Sequence, residues 1–168
     1  MVNVIFIDDN YVYKNYPLPK RLDRQTLISI ITMEQVTSVQ DLLGSALYSD
    51  IEDKVSAQTL SSSELELFKL VQYALMLYTV RSSVTLLRTS VAKTKSEEGK
   101  LDQEALDSIA LAIDSKITYI NKRIVNFIKA DSALLTLASA STNDYFDQDD
   151  VYNGSVYYPS SGSSGTCE

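Results

Sequence analysis

Residues 61–92, SSSELELFKLVQYALMLYTVRSSVTLLRTSVA, decide the fold of this chain. Three serines lead into Glu64 and Glu66. A serine hydroxyl caps the free N–H groups of a first helical turn, and acidic residues there suit the helix dipole. No proline or glycine occurs from there to Ala92, so the spacing predicts one long helix from about Ser63 to Ala92. Leu67, Leu70, Val71, Ala74, Leu75, Tyr78 and Val84 mark one face of it. Leu65, Phe68, Met76, Leu77 and Val80 mark another. A helix that is apolar nearly all round is buried on several sides, as the centre of a bundle or in a subunit interface. Arg81 falls in the middle of this apolar stretch, so a carboxylate partner is expected for it.

On the C-terminal side, TKSEEGK at 94–100 reads as a charged loop. Beyond it Leu106, Ile109, Ile113, Ile117, Ile120, Ile124, Phe127 and Ile128 recur at three- and four-residue steps, predicting a second long helix from about Asp102 to Lys129. The two helices, each roughly 40 Å long at 1.5 Å per residue, form an antiparallel pair. On the N-terminal side Asp23 is a candidate N-cap for a helix from Arg24 to Leu43, with a possible local break at Thr32 or Met33. Gly44 suits its C-terminal end, or a close helix approach, and helical spacing resumes to about Ala57. The fold class is therefore mainly α, an antiparallel bundle of about four helices over residues 22–130.

The two ends differ from this body. In residues 1–21, Val2 to Ile7 and Tyr11 to Tyr13 are β-prone runs separated by Asp8-Asp9-Asn10, which reads as a β-hairpin or two extended segments. Pro17 and Pro19 then hold the chain extended as far as the first helix of the body. Val4, Phe6, Tyr11 and Tyr13 are the candidate β contacts of this arm. Residues 131–168 begin with small residues and continue as DYFDQDDVYNGSVYYPSSGSSGTCE, whose last stretch, 160–165, has linker composition. Tyr145, Phe146, Tyr152, Tyr157 and Tyr158 are too many aromatics for a purely solvating acidic tail, so this arm is expected to order against a partner.

Composition narrows the chemistry. The 168 residues carry 15 basic and 22 acidic side chains, a net charge of −7, with no histidine and a single cysteine, Cys167. A histidine-based triad, a His-ligated metal and an internal disulfide are thereby excluded for this chain alone. From Asp131 onward there are acids and no Lys or Arg, so the body is near neutral and the tail holds the anionic charge. A nucleic-acid clamp would need a basic face. No run of 18 apolar residues predicts a membrane span, and the N-terminus is not that of a secretory signal. VIFIDDN is similar to the start of a receiver domain, but a receiver needs a helix straight after the acidic pair and then alternating strands and helices, whereas Pro17, Pro19 and a long helical stretch follow here; Asp8, Asp9 and Asn10 read as a turn. Glu97-Glu98 and Asp149-Asp150 lack the alternating spacing of a calcium loop. No enzyme, cofactor or metal is expected.

The block Asp41-Leu42-Leu43-Gly44-Ser45-Ala46-Leu47-Tyr48 resembles the "LLG…LY" helix corner of head–tail connector (adaptor, neck ring) proteins of tailed bacteriophages, with the nearest likeness to those of Bacteroidetes phages including the crAss-like group. The order of elements around it matches over residues 20–130. The resemblance implies a virion protein made in the bacterial host cytoplasm. It implies a homo-oligomeric ring, usually a dodecamer, between the portal protein and a downstream neck or tail protein, with DNA passing through the lumen without specific binding. Leu43, Gly44, Leu47 and Tyr48 would carry over as structural corner residues; the C-terminal arm would dock on the portal and the N-terminal strands on a neighbour or the tail, or the reverse. The alternative is a soluble helical adaptor or regulatory module acting one-to-one with a partner.

Overall fold

The computed structural model describes residues 4–16, 22–91 and 97–140. In chain order it contains α1 (Asp9–Asn15), α2 (Arg24–Glu34), a π-helical turn (Gln35–Val39), α3 (Gln40–Leu43), α4 (Ser45–Ala57), α5 (Ser62–Val91), α6 (Glu97–Ala130) and α7 (Ser132–Ser139). The chain is mainly helical, and among the described residues there is no strand.

α5 begins where the serine cluster predicts. Ser61 and Glu64 cap each other: the Ser61 N–H donates to the Glu64 carboxylate at 2.8 Å, and the Glu64 N–H donates to the Ser61 hydroxyl at 3.3 Å. From there α5 runs 30 residues, and Leu67, Val71, Ala74, Leu75, Met76, Leu77, Val80 and Val84 are all buried. Both predicted apolar faces are used. α5 packs against α1, α2, the π turn and α6. By length and composition Ser62–Thr89 would also cross a membrane, but most of that window is buried within the chain itself, as in the core helix of a folded domain.

α6 spans 34 residues and presents Leu106, Ile113, Ile120, Ile124 and Ile128 to the core. It starts at Glu97, earlier than the expected Asp102, so the second half of the charged loop is helical. The α5 and α6 axes run antiparallel, as shown by cross-links from Arg88 to Asp107, Arg81 to Asp114 and Tyr78 to Asn121. After α6 the small-residue run forms α7, which packs on α6 and α4. Asp131 is its N-cap, accepting from the Ala133 and Leu134 N–H groups, and Ser63 at the start of α5 also donates to its carboxylate at 2.8 Å.

The structure corrects the reading of the N-terminal arm. The β-hairpin expected for residues 1–21 does not form among the described residues, and Tyr11 and Tyr13 lie on a helix, α1. Asp8 caps that helix by accepting from the Tyr11 N–H at 2.7 Å, which overrides the weak β preference of a short aromatic run. The two prolines lie outside the described residues. Residues 24–43 form one helical run as expected, and its local irregularity is the π turn at Gln35–Val39, a little after the expected Thr32 or Met33.

Candidate interaction site

The π turn is an unusual local geometry, and hydrogen bonds from α5 and from the backbone of the N-terminal segment converge on Glu34 and Gln35 at its start. Adjacent residues of an α-helix point about 100° apart, yet Glu34 and Gln35 are both buried, along with Val39. The wider turn shifts the helix phase and makes this possible.

Gln35 uses both ends of its amide on the N-terminal segment. Its Oε1 accepts from the Phe6 N–H at 2.8 Å, and its Nε2 donates to the Val4 carbonyl at 2.7 Å. One side chain thereby supplies the two hydrogen bonds that a residue of a neighbouring strand would supply to residues 4–6. Gln72 of α5 completes the set by donating to the Phe6 carbonyl at 2.8 Å. Phe6 is then seated between two rings, Phe68 edge-on at 5.2 Å and Tyr48 tilted at 5.6 Å. Val4 and Phe6 are thus body contacts made through side-chain amides rather than through a sheet. Tyr11 and Tyr13 are partly buried against the core, and the Tyr13 hydroxyl donates to the Leu22 carbonyl. Glu34, beside Gln35, accepts from the Ser38 and Ser82 hydroxyls, both at 2.5 Å, which ties the π turn to α5.

The corner residues converge on the same place. Gly44 has φ 79° and ψ 151°, a region open essentially to glycine alone, and it ends α3 and starts α4 at once. Its N–H donates to the Gln40 carbonyl and its carbonyl accepts from the Tyr48 N–H. Leu43, Leu47 and Tyr48 are buried around it. The Tyr48 hydroxyl accepts from Gln35 Nε2 at 3.0 Å. Burial raises the Tyr48 phenol above its ordinary pKa, the Gln35 hydrogen bond opposes this, and nearby Glu52 adds to the rise. The phenol is therefore neutral at physiological pH.

This node is built from amides, hydroxyls and one satisfied carboxylate. It binds chain segments together, and its groups are already engaged with each other. Among the described residues no group of three or more acidic, His or Cys side chains is arranged to hold a metal. On the surface, an open groove runs between α2, α5 and α6, lined by Ile30, Met33, Leu86 and Ala110, with the Arg81–Asp114 ion pair on its rim. Met33 and Leu86 are exposed in it. The aromatic residues expected to dock the C-terminal arm, Tyr145, Phe146, Tyr152, Tyr157 and Tyr158, lie outside the described residues.

Glu34 is not among the residues expected at the site, although it falls in register with the apolar stripe of Leu27 and Ile31, a signal that could have found it. Gln35 and Gln72 carry no such signal, because a buried glutamine and a solvated one look alike in sequence. The chain matches no protein-family model, no curated protein and no solved structure.

Proposed function

We propose that this chain is a structural subunit of a phage head–tail connector, assembling as a ring, dodecameric by resemblance, around the DNA exit channel of the virion neck. The observation that carries the reading is the Leu43-Gly44-Leu47-Tyr48 corner. The residues of the connector-like motif are the ones that turn α3 into α4, through a backbone geometry that requires the glycine, and that hold the N-terminal segment through Tyr48 and Gln35. A body of long helices in a bundle-like arrangement suits a wall element, since α5 and α6 are about 45–50 Å long at 1.5 Å per residue. In this reading the portal protein and a downstream tail protein are the partners. The subunit is made in the host cytoplasm, and DNA crosses the lumen without base-specific contacts.

The test is assembly. The purified chain is mixed with the portal protein that this reading assigns as its partner, and the mixture is sized and imaged. A ring of many copies stacked on the portal supports the proposal. A chain that stays monomeric with the portal and never enters particles overturns it. The exposed groove between α2, α5 and α6, with Met33 and Leu86 at its surface, favours the second reading, an adaptor that takes one partner segment on one copy. A stoichiometric one-to-one complex with a non-portal partner would support that reading instead.

A further inference from the structure

α6 turns a second face to solvent, opposite the one that packs on α5. Its core residues Ile113, Ile120, Ile124 and Ile128 are buried, while Leu111 and Tyr119 are 71% and 68% exposed. These two are eight residues apart, a little over two turns along the same side of the helix. Around them lie Lys116, Lys122, Arg123 and Lys129, all exposed, and from Ser115 to Ala130 the helix has no acidic residue. Lys116 also stands over the Tyr16 ring at 5.6 Å. Two large exposed apolar side chains within a face of four cations, in a protein of net charge −7, form a surface complementary to an acidic aromatic ligand.

The chain contains such a ligand. Residues 141–158 carry Asp144, Asp147, Asp149 and Asp150 with Tyr145, Phe146, Tyr152, Tyr157 and Tyr158, and no Lys or Arg. They continue directly from α7, which packs on α6. Eighteen residues reach roughly 60 Å when extended, and the basic stretch from Lys116 to Lys129 spans about 20 Å at 1.5 Å per residue. A segment tethered this closely acts at an effective concentration on the order of millimolar. We propose that residues 141–158 dock in cis on the outer face of α6, with the aspartates against Lys122, Arg123 and Lys129 and the aromatic rings against Tyr119 and Leu111. The docked segment neutralises cations of α6 that attract nucleic-acid phosphates. This holds whether or not the chain is a connector subunit.

The experiment uses the full chain, isotope-labelled, with Cys167→Ser and a nitroxide on Ser155→Cys. Docking in cis broadens the backbone amides of residues 115–130 relative to the reduced probe and spares those of α4. The broadening is lost in high salt, a result that needs no further variant, and in the exposed triple variant Lys122→Glu, Arg123→Glu, Lys129→Glu. It returns when Asp147→Lys, Asp149→Lys and Asp150→Lys are added. Three results would overturn the proposal: absence of broadening on α6, broadening insensitive to salt and to the triple variant, or broadening seen only when spin-labelled and isotope-labelled chains are mixed, which assigns the face to a second copy. A duplex DNA that shifts the 115–130 amides while the nitroxide leaves them sharp would overturn it in favour of nucleic acid.

Discussion

Arg81 Nε and Asp114 Oδ1 lie 2.7 Å apart across α5 and α6, and seven residues along each helix Arg88 and Asp107 repeat the contact at 2.6 Å. Asn121, seven residues beyond Asp114, takes up the same edge by accepting from the Tyr78 hydroxyl at 2.7 Å. Seven residues are two turns, so antiparallel helices in constant register meet again at that interval. The carboxylate that the apolar surroundings of Arg81 required is present, although Arg81 itself is half-exposed at the rim of the seam.

Because these pairs are solvated, they set register more than they add stability. Asp114→Ala should cost about 0.2–1 kcal/mol, and a double-mutant cycle with Arg81→Ala should show coupling that shrinks in high salt. Arg81 and Asp107, which do not touch, should show none. Urea denaturation of the four proteins in each cycle measures this.

Gln35→Ala leaves the Phe6 N–H and the Tyr48 hydroxyl without their partner at a buried site. Each unsatisfied buried group costs about 1–3 kcal/mol. Hydrogen exchange should show the Phe6 amide losing protection while the amides in the middle of α5 and α6 keep theirs. Equal loss everywhere would mean that the N-terminal segment is not a separately released unit.

Backbone geometry predicts opposite outcomes at two neighbouring turns. Gly44→Ala places a Cβ at φ 79°, ψ 151° and should destabilise by about 1–3 kcal/mol. Gln58 closes α4 in the left-handed region at φ 57°. Gln58→Gly relieves that cost and should be neutral or stabilising by up to about 1 kcal/mol. Thermal melts should show a lower midpoint for Gly44→Ala and an unchanged or higher one for Gln58→Gly.

The α4–α5 junction predicts a pH dependence. Lys54 Nζ contacts Glu64 at 2.6 Å and Asp50 at 2.7 Å. The Lys54 hydrogen bond holds the Glu64 carboxyl below its ordinary pKa, and the hydrogen bonds from Lys54 to Asp50 and Glu64 hold the lysine above its own. A depressed carboxylate contributes stability above its unfolded-state pKa and loses it as the pH falls through the folded one. A raised lysine contributes below its unfolded-state pKa and loses its contribution as the pH climbs through the folded value. Glu64→Gln should therefore weaken the acid dependence without removing it. Asp23 and Asp131, both lowered by their hydrogen bonds as helix caps, remain to titrate. Denaturation midpoints across an acid series, wild type against variant, check the sign.

Much of the architecture is legible in the residues alone. The 3.6-residue recurrence of isoleucines in α6 and the all-round apolarity of α5 locate the two long helices to within a few residues. Ser61 and Glu64 mark the start of α5 and Asp23 that of α2. Those signals are local, since a cap or an amphipathic stripe lies within a turn or two of the residues it organises. The basic face of α6 is equally present in the sequence, but the overall acidity of the chain masks it.

What the sequence by itself determined is the helical body: its period, its capping residues and the glycine corner at residue 44. Only the tertiary structure decided the fate of residues 4–7. A short β-prone run such as Val4 to Ile7 does not hold an extended form without groups to pair with. What settles it is a pair of hydrogen bonds from the Gln35 amide, 29 and 31 residues away in sequence, and one from Gln72, 66 residues away. No local pattern encodes contacts at that separation; they exist once the π turn has brought Gln35 inward to meet the chain.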